Sequence, residues 1–183
     1  MNDLFAQAEA LQKDYASRLP PVDQWDPPLS GDIDICITRD GRWFHEGDEF
    51  RRHELVKLFA SILKREGDDY FLVTPVEKWR IRVEDVPFAV VDFDRQGSGS
   101  EQVLAFKTAT DDVVIAGPEH PIWVDSQPLS DGTEEPAPYI MVRNNMAGRI
   151  SRNVFYHLVD LALENGDGDT IAVTSQGVNF PLA

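Results

Sequence analysis

Residues 50–74, FRRHELVKLFASILKREGDDYFLVT, and residues 150–174, ISRNVFYHLVDLALENGDGDTIAVT, decide the fold of this chain. Aligned at an offset of 100 without a gap, the two stretches share six identical residues: Arg52/Arg152, Leu58/Leu158, Leu63/Leu163, Asp69/Asp169, Val73/Val173 and Thr74/Thr174. Each stretch begins with apolar residues spaced i, i+3, i+4 and i+7, which is typical of an amphipathic helix, and ends in a β-type run. Self-similarity of this kind predicts two related halves.

The regions around these stretches predict an α+β protein in which each half combines a mainly antiparallel sheet with one amphipathic helix. Helices are predicted over 2–17, 49–65 and 149–164, and strands over 32–38, 43–45, 69–74, 78–83, 88–93, 102–107, 112–116, 122–124, 139–143, 169–174 and 178–182. This order divides the chain into a short N-terminal helix with a proline-rich connector (1–28), an N-terminal α+β domain (29–84) and a C-terminal β-rich domain with one helix (85–183).

The predicted strand at 32–38 alternates Ile33, Ile35 and Ile37 with polar residues, the period-two pattern of a half-buried strand. Cys36 lies on the opposite face and is interpreted as a partly buried, inert thiol. Asp40-Gly41 then indicates a hairpin turn. By contrast, residues 125–138 are polar and rich in acids and prolines, so they are predicted to form a long loop that is either mobile or functional.

The charge of the chain restricts its partners. Its 183 residues include 17 Lys and Arg and 32 Asp and Glu, which gives a net charge of −15. Such a charge repels nucleic acid and anionic lipid at long range, so nucleic-acid binding is not expected. No run of about 18 apolar residues occurs, so no membrane-spanning helix is predicted. The first 16 residues lack the pattern of a secretory signal, and the expected compartment is therefore the cytoplasm.

Several blocks of the sequence are distinctive as a set: GDIDI at 31–35, LVTPVEK at 72–78, VEDVPF at 83–88, HP at 120–121, PYIMVR at 138–143 and FYHLV at 155–159. Together they resemble the bacterial family catalogued as domain of unknown function 1285 (DUF1285). The resemblance implies two domains with repeated motifs, a C-terminal domain superficially similar to the pleckstrin-homology fold, and a ligand site between the domains with a role in signal transduction. It implies no catalytic residues.

Arginines near the start of each predicted helix are the main candidates for a binding site: Arg51 and Arg52 in the first half, Arg149 and Arg152 in the second. Cations are disfavoured near a helix N-terminus by about 0.3–1 kcal/mol, so a compensating anion is expected. A bound phosphate or carboxylate would serve. The alternative is an internal ion pair. Acids are available next to the first pair, whereas no acid occurs in the sequence between Arg143 and Asp160.

Thr74 and Lys78 are further candidates because both could reach a ligand from a strand end; the alternative is a kinked strand with a solvated Glu77–Lys78 pair. Arg143 adds positive charge to the predicted ligand site. The four tryptophans could line a groove but are favoured as core residues: Trp25, Trp43, Trp79 and Trp123.

No sequence motif indicates chemistry. The four histidines and the single cysteine lack metal-ligand spacing, no nucleophile motif is present, and no cofactor is expected. The leading hypothesis is a small-ligand-binding or regulatory module in signal transduction, with an anionic ligand between the halves. The alternative is a protein–protein adaptor that docks a partner through strand edges or residues 125–138. An enzyme is disfavoured, but separated residues can still converge on one site.

Overall fold

The computed structural model describes residues 2–15, 18–166 and 169–183. The chain forms two compact units, an N-terminal unit (Met1–Asp85) and a C-terminal unit (Val86–Ala183). Both are α+β and each contains a six-stranded sheet. The fold class is therefore confirmed. The likeness of the C-terminal unit to the pleckstrin-homology fold stays a prediction.

The N-terminal unit arranges its sheet as two antiparallel meanders. Its elements are α1 (Asn2–Asp14), β1 (Gly31–Ile37), β2 (Trp43–His45), β3 (Asp48–Glu49), α2 (His53–Ser61), β4 (Leu63–Glu66), β5 (Asp69–Val73) and β6 (Lys78–Val83). The strand order is β3-β2-β1-β6-β5-β4. β1 and β6, the inner strands of the two meanders, pair in parallel at the centre of the sheet.

The core of this unit lies on the sheet face that carries the isoleucines of β1. Ile33, Ile35 and Ile37 are all buried, as their alternation predicts. The hairpin after β1 closes as predicted, because Thr38 N–H donates to the Arg42 carbonyl at 2.8 Å and Gly41 takes a positive φ of 84°. Helix α1 packs Leu4 and Ala8, both fully buried, against the unit.

The predicted helix over 49–65 is too long at both ends. Residues Asp48–Glu49 form β3, and α2 spans His53–Ser61. Leu63–Glu66 is strand β4, in which Leu63 is buried and pairs with Leu72. Propensity favoured a helix through this segment, but the hairpin to β5, turned by Gly67 with φ of 61°, places residues 63–66 at the sheet edge. Ala16 and Ser17, which end the first predicted helix, lie outside the described residues.

The C-terminal unit has the same sheet plan. Its elements are β7 (Phe88–Gln96), β8 (Val103–Thr108), β9 (Val113–Ile115), β10 (Ile122–Pro128), β11 (Glu134–Arg143), β12 (Met146–Ile150), α3 (Arg152–Asn165), β13 (Ala172–Ser175) and β14 (Val178–Pro181). The strand order is β10-β11-β12-β7-β8-β9, again two antiparallel meanders joined through a parallel pair, here β12 and β7. β13 and β14 form a separate hairpin.

Two sequence predictions are wrong in this unit. The predicted loop over 125–138 is a hairpin in which β10 and β11 pair from Ile122↔Ile140 to Pro128↔Glu134. The predicted helix over 149–164 begins three residues early, because Arg149 belongs to strand β12. Asn144 and Asn145 explain this error. Both have positive φ, 49° and 61°, which is the conformation of a type I′ hairpin turn, and they return the chain into β12.

The two halves are related through their sheets, and the two helices of the aligned stretches occupy different places in that plan. α2 connects the two meanders of its unit, whereas α3 follows both meanders. Leu63 lies in β4 and its aligned partner Leu163 lies in α3. The prediction of two related halves is therefore confirmed by strand order, while the matched residues at 50–74 and 150–174 are not structurally equivalent along their length.

Candidate functional site

The two arginines predicted in the second half meet on one face of strands β10, β11 and β12. This face lies opposite the buried Ile122, Ile140 and Ile150. Trp123, Tyr139 and Arg149 are directly cross-strand neighbours there. Trp123 and Tyr139 stack with ring centroids 5.6 Å apart, and the Arg149 guanidinium lies 5.3 Å from the Tyr139 ring centroid. Tyr139 is buried under these contacts.

A chain of polar contacts joins Arg149 to Arg152 on this face. Arg149 Nη1 donates to Gln127 Oε1 at 3.1 Å and lies 3.3 Å from the Tyr139 hydroxyl. Gln127 Nε2 in turn donates to Glu135 Oε1, and Glu135 Oε2 accepts from Arg152 Nη2 at 2.9 Å. We call Trp123, Gln127, Glu135, Tyr139, Arg149 and Arg152 the arginine cluster.

Helix α3 holds Arg152 at the edge of the cluster. Ser151 is the N-cap, and its hydroxyl accepts from Val154 N–H at 3.4 Å. Arg152 is thus the first helical residue, where the helix dipole disfavours a cation. Glu135 compensates that charge from β11. The partner of Arg152 in the structure is thus an acid that lies before Arg143 in the sequence, and the binding of an external anion at Arg152 stays a prediction.

Asp125 adds a second acid beside the arginine cluster. It is exposed, stands two residues before Gln127 on the same strand face, and accepts from Trp123 Nε1 at 3.2 Å. Two guanidiniums and two carboxylates therefore share this face. The guanidinium fork is suited to carboxylate and phosphate oxygens, so the cluster has the residue types that recognise such groups.

The first-half candidates Arg51 and Arg52 are exposed and lie just before α2. Arg52 is the N-cap of α2, with an extended backbone (φ −91°, ψ 111°) and, within the described residues, no side-chain capping hydrogen bond. Their predicted role in ligand binding stays a prediction.

Thr74 and Lys78 have structural partners. Thr74 is fully buried, donates to Gln7 Oε1 of α1 at 2.5 Å and accepts from Glu77 N–H at 2.9 Å. Lys78 Nζ lies 2.5 Å from Glu66 Oε2 and 4.6 Å from the Phe71 ring centroid. The hydrogen bond from Lys78 lowers the pKa of Glu66, and the charges of Lys78 and Lys64 act in the same direction against the effect of burial. The Thr74 contact ties α1 to the end of β5, and the Lys78 contact links β6 to β4 across β5.

Arg143 is also part of a mostly buried ion pair. Its guanidinium pairs with Asp112 and lies 4.7 Å from the Phe88 ring centroid. Asp112 further accepts from Thr110 at 2.7 Å and from Thr108 at 3.1 Å. Burial lowers the pKa of Arg143, and the charge of Asp112 opposes that shift. This network ties the β8–β9 turn to β11.

Charged residues on β1 and β6 form separate pairs and do not converge on one carboxylate. Arg80 pairs with Asp32 at 3.2 Å, and Arg82 pairs with Asp34 at 2.7 Å. Cys36 lies next along β1, where burial raises the pKa of its thiol and Arg82 opposes the rise.

Within residues 2–15, 18–166 and 169–183, no group of three His, Cys, Asp or Glu is placed to hold a metal ion. Among the described helices, none is long and apolar enough to cross a membrane.

Sequence reasoning missed Gln127 and Glu135 because it treated 125–138 as a loop. It named Trp123 as a possible groove residue and placed Tyr139 in a strand, but it did not connect either of them with the arginines. A usable signal was present. Asp131-Gly132 is a hairpin-type dipeptide, and Gly132 has a positive φ of 86°. The three prolines of the segment favoured the interpretation as a loop.

Comparison with known proteins supports the family resemblance. Residues 20–86 match the family model described as "Domain of unknown function (DUF1285), N-terminal domain", and residues 87–182 match "Protein of unknown function (DUF1285), C-terminal domain". No curated protein sequence matches the chain.

Two solved structures are similar to the chain. A DUF1285 family protein from Silicibacter pomeroyi DSS-3 is 44% identical, with a TM-score of 0.83 over 96% of this chain and 93% of that one. A DUF1285 family protein from Shewanella baltica OS155 is 31% identical, with a TM-score of 0.52 over 69% of this chain and 90% of that one. The resemblance drawn from the sequence blocks is thereby confirmed.

Proposed function

Because this chain belongs to the DUF1285 family, whose function is unknown, we propose a role from its own residues. The protein is a small-ligand-binding or regulatory module of signal transduction, and its ligand carries a carboxylate or phosphate group. The arginine cluster holds that group. The proposed compartment is the cytoplasm, where chains without disulfide pairs are usual. The earlier expectation that the ligand lies between the two halves stays a prediction.

The observation that carries this proposal is the convergence of Arg149 and Arg152 on one Gln127–Glu135 pair. The arginines come from a strand and from the following helix, and both direct a guanidinium nitrogen toward the same pair. Guanidinium groups bind carboxylate and phosphate oxygens through two parallel N–H donors. An anionic group at this position would receive charge-assisted hydrogen bonds from both arginines.

The aromatic residues next to the arginines give the site a second recognition element. Trp123 and Tyr139 stack on each other in the row that includes Arg149. The half-buried Trp123 ring, supported by the buried Tyr139, provides an apolar surface next to the charged groups, an arrangement that suits a ligand with both a ring and an anionic group. The proposed ligand class is therefore an organic anion.

The test is a thermal-shift screen with phosphate, nucleotides, phosphosugars and carboxylates at constant ionic strength. A ligand that binds the folded protein raises the Tm by mass action. We expect the Arg149→Ala/Arg152→Ala variant to lose that rise. The matched control is Arg51→Ala/Arg52→Ala, which removes the same charge at exposed positions and should respond like the wild type.

Arg149→Lys/Arg152→Lys separates recognition from simple charge. Lysine keeps the positive charge but lacks the planar fork, so the ligand response should fall although the net charge is unchanged. A response lost in the Arg51/Arg52 control and kept in the Arg149/Arg152 variant would move the site to the start of α2 and refute the proposal. Equal responses in all four proteins would also refute it.

A protein–protein adaptor is the second candidate, favoured by the shape of the β10–β11 hairpin. β12 pairs with residues 139–143 of β11, so residues 125–138 form an arm beyond that pairing. Asp125, Asp131 and Glu134 on the arm are exposed. Pro136 and Pro138 remove backbone donors from β11, which disfavours strand addition, so a partner would be basic and would contact side chains.

A pull-down distinguishes the adaptor from the ligand-binding module. For an adaptor, capture of a basic partner should be lost in Asp131→Asn/Glu134→Gln and retained in Arg149→Ala/Arg152→Ala. The reverse pattern would exclude this arm as the docking surface.

A further inference from the structure

We infer that Glu135 is an internal competitor of the ligand: its carboxylate takes the anion's place in the arginine cluster and is displaced when an external carboxylate or phosphate binds. The inference rests on the proposed function, and it concerns how that site is regulated.

The first argument is the way in which both carboxylate oxygens of Glu135 are used. Oε2 accepts from Arg152, and Oε1 accepts from the Gln127 amide nitrogen. These are the contacts that an external carboxylate would make if it bound between the same donors. The side chain of Glu135 therefore has the chemistry of the proposed ligand and lies at its proposed position.

The second argument is that Gln127 links the carboxylate to the more distant arginine. Its Oε1 faces the Arg149 donor and its Nε2 faces the Glu135 acceptor. The reversed amide would set donor against donor and acceptor against acceptor, so this orientation is fixed by its neighbours. Displacement of Glu135 removes the acceptor of the Gln127 amide and offers that donor, together with both guanidiniums, to the ligand.

The third argument is that the contact is weak enough to be exchanged. The Arg152 side chain is 67% exposed and the Glu135 side chain 23%, so solvent reaches the pair mainly from the side of the arginine and screens it there. The contrast is Arg143 with Asp112, where the side chains are 13% and 17% exposed and two threonines add hydrogen bonds. An external anion can therefore compete for Arg152 more readily than for Arg143.

Displacement has a structural consequence in the β10–β11 arm. Gln127 and Glu135 are directly opposed across the two strands, close to the turn in which Leu129 N–H donates to the Thr133 carbonyl at 2.7 Å. Their side-chain hydrogen bond joins the strands at the base of that turn. Ligand binding that breaks this bond should raise backbone hydrogen exchange in residues 126–136.

The decisive variant is Glu135→Gln, which keeps size and shape and removes the charge. With inorganic phosphate as the probe, titrated by calorimetry at constant ionic strength, we expect affinity to rise by up to about fivefold, which corresponds to the strength of a partly exposed ion pair. Glu134→Gln is the matched control. It removes the same charge one residue away on the opposite face of β11, where the side chain is exposed, and should leave affinity unchanged.

The outcomes separate this inference from the proposed function. If phosphate binding needs Arg149 and Arg152 but Glu135→Gln leaves it unchanged or weakens it, Glu135 is not a competitor and the binding function stands. An equal gain in Glu134→Gln shows a general charge effect and overturns the inference. If neither the wild type nor Glu135→Gln binds phosphate, both ideas fail for this probe. Phosphate should also raise hydrogen exchange of the arm in the wild type, and no such rise contradicts the displacement.

Discussion

The two six-stranded sheets share one plan and treat their charged residues differently. In the N-terminal unit, Arg80 and Arg82 on β6 each pair with an aspartate on the parallel neighbour β1. In the C-terminal unit, Arg149 on β12 reaches the Glu135 carboxylate through Gln127, and Arg152 contacts the same carboxylate. Strand order therefore determines which backbones are neighbours, whereas the side chains decide whether the arginines of a sheet face pair with separate carboxylates or converge on a single one.

A second difference concerns the helices. α2 connects two meanders, and α3 follows them. The common strand order despite this difference indicates that the parallel pair at the centre of each sheet, rather than the helix, defines the repeated unit. The predictions below test this comparison from the largest expected effect to the smallest.

Removal of one core side chain from each parallel pair should have the largest effect. Ile35 in β1 is fully buried and Ile150 in β12 is 1% exposed, so Ile35→Ala and Ile150→Ala should each lower the free energy of unfolding by about 2–5 kcal/mol. Urea unfolding measures both. Val76→Ala, at a residue 68% exposed, is the control and should change it by less than about 0.5 kcal/mol. If either variant left the free energy of unfolding unchanged, the β1–β6 and β12–β7 pairs would not contribute equally to the stability of their units.

Gly148→Ala tests how closely the β12–β7 parallel pair is packed. This position has no room for a side chain. A Cβ at Gly148 would lie 3.0 Å from Val142 Cγ2 and 3.3 Å from Val90 Cγ2. We expect a loss of about 1–3 kcal/mol in unfolding free energy. The double variant Gly148→Ala/Val142→Ala should lose less than the sum of its single variants, because the clash is relieved. Strict additivity would argue against the clash.

Substitutions at the N-caps of α2 and α3 should change stability in opposite directions. Ser151→Ala removes the side-chain cap of α3 and should cost about 1 kcal/mol, while Arg52→Ser supplies a capping hydroxyl to α2 and should stabilise by about 0.5–1 kcal/mol. Thermal unfolding measures both. A loss of stability in Arg52→Ser would show that Arg52 makes a contribution other than its N-cap position.

The smallest effect should come from Glu66. Its carboxylate bridges Lys64 and Lys78, as the Glu135 carboxylate bridges Gln127 and Arg152. Because the pKa of Glu66 is lowered in the folded protein, its contribution to stability is present above its ordinary pKa of 4.5 and is lost as the pH falls through the lower, folded value. Glu66→Gln should therefore cost up to about 1 kcal/mol at pH 7, and the difference from wild type should shrink below pH 4.5. The exposed Glu119→Gln is the control. A difference independent of pH would refute the ion-pair origin.

Local patterns predicted the parts of the fold in which they agree with the tertiary contacts. The alternation of Ile33, Ile35 and Ile37 and the Asp40-Gly41 turn gave β1 and its hairpin correctly, since period and turn chemistry agree there. β4 was missed because residues 63–66 continue a good helical sequence, and only pairing with β5 makes them a strand. β12 was missed because the turn at Asn144-Asn145 was not recognised.

The candidate site was only partly accessible from sequence for the same reason. Arg149 and Arg152 were selected for a shared helix start that Arg149 does not have, and they nevertheless lie in one cluster. Glu135 could not be found by searching near Arg152 in sequence, because its proximity follows from the antiparallel return of β11 into β12. Residues that meet through strand pairing require the register, and a single sequence does not supply it when a turn is misread.

The central parallel pairs have a consequence for synthesis on the ribosome. Asp32 meets Arg80, 48 residues later, and Phe88 meets Gly148 across a still longer interval. At ordinary translation speeds β1 emerges about 2–10 s before its partner β6. The interval between β7 and its partner β12 is somewhat longer. During this interval the isoleucines of β1 remain uncovered in the nascent chain, so chaperone engagement should be concentrated there until β6 has left the exit tunnel.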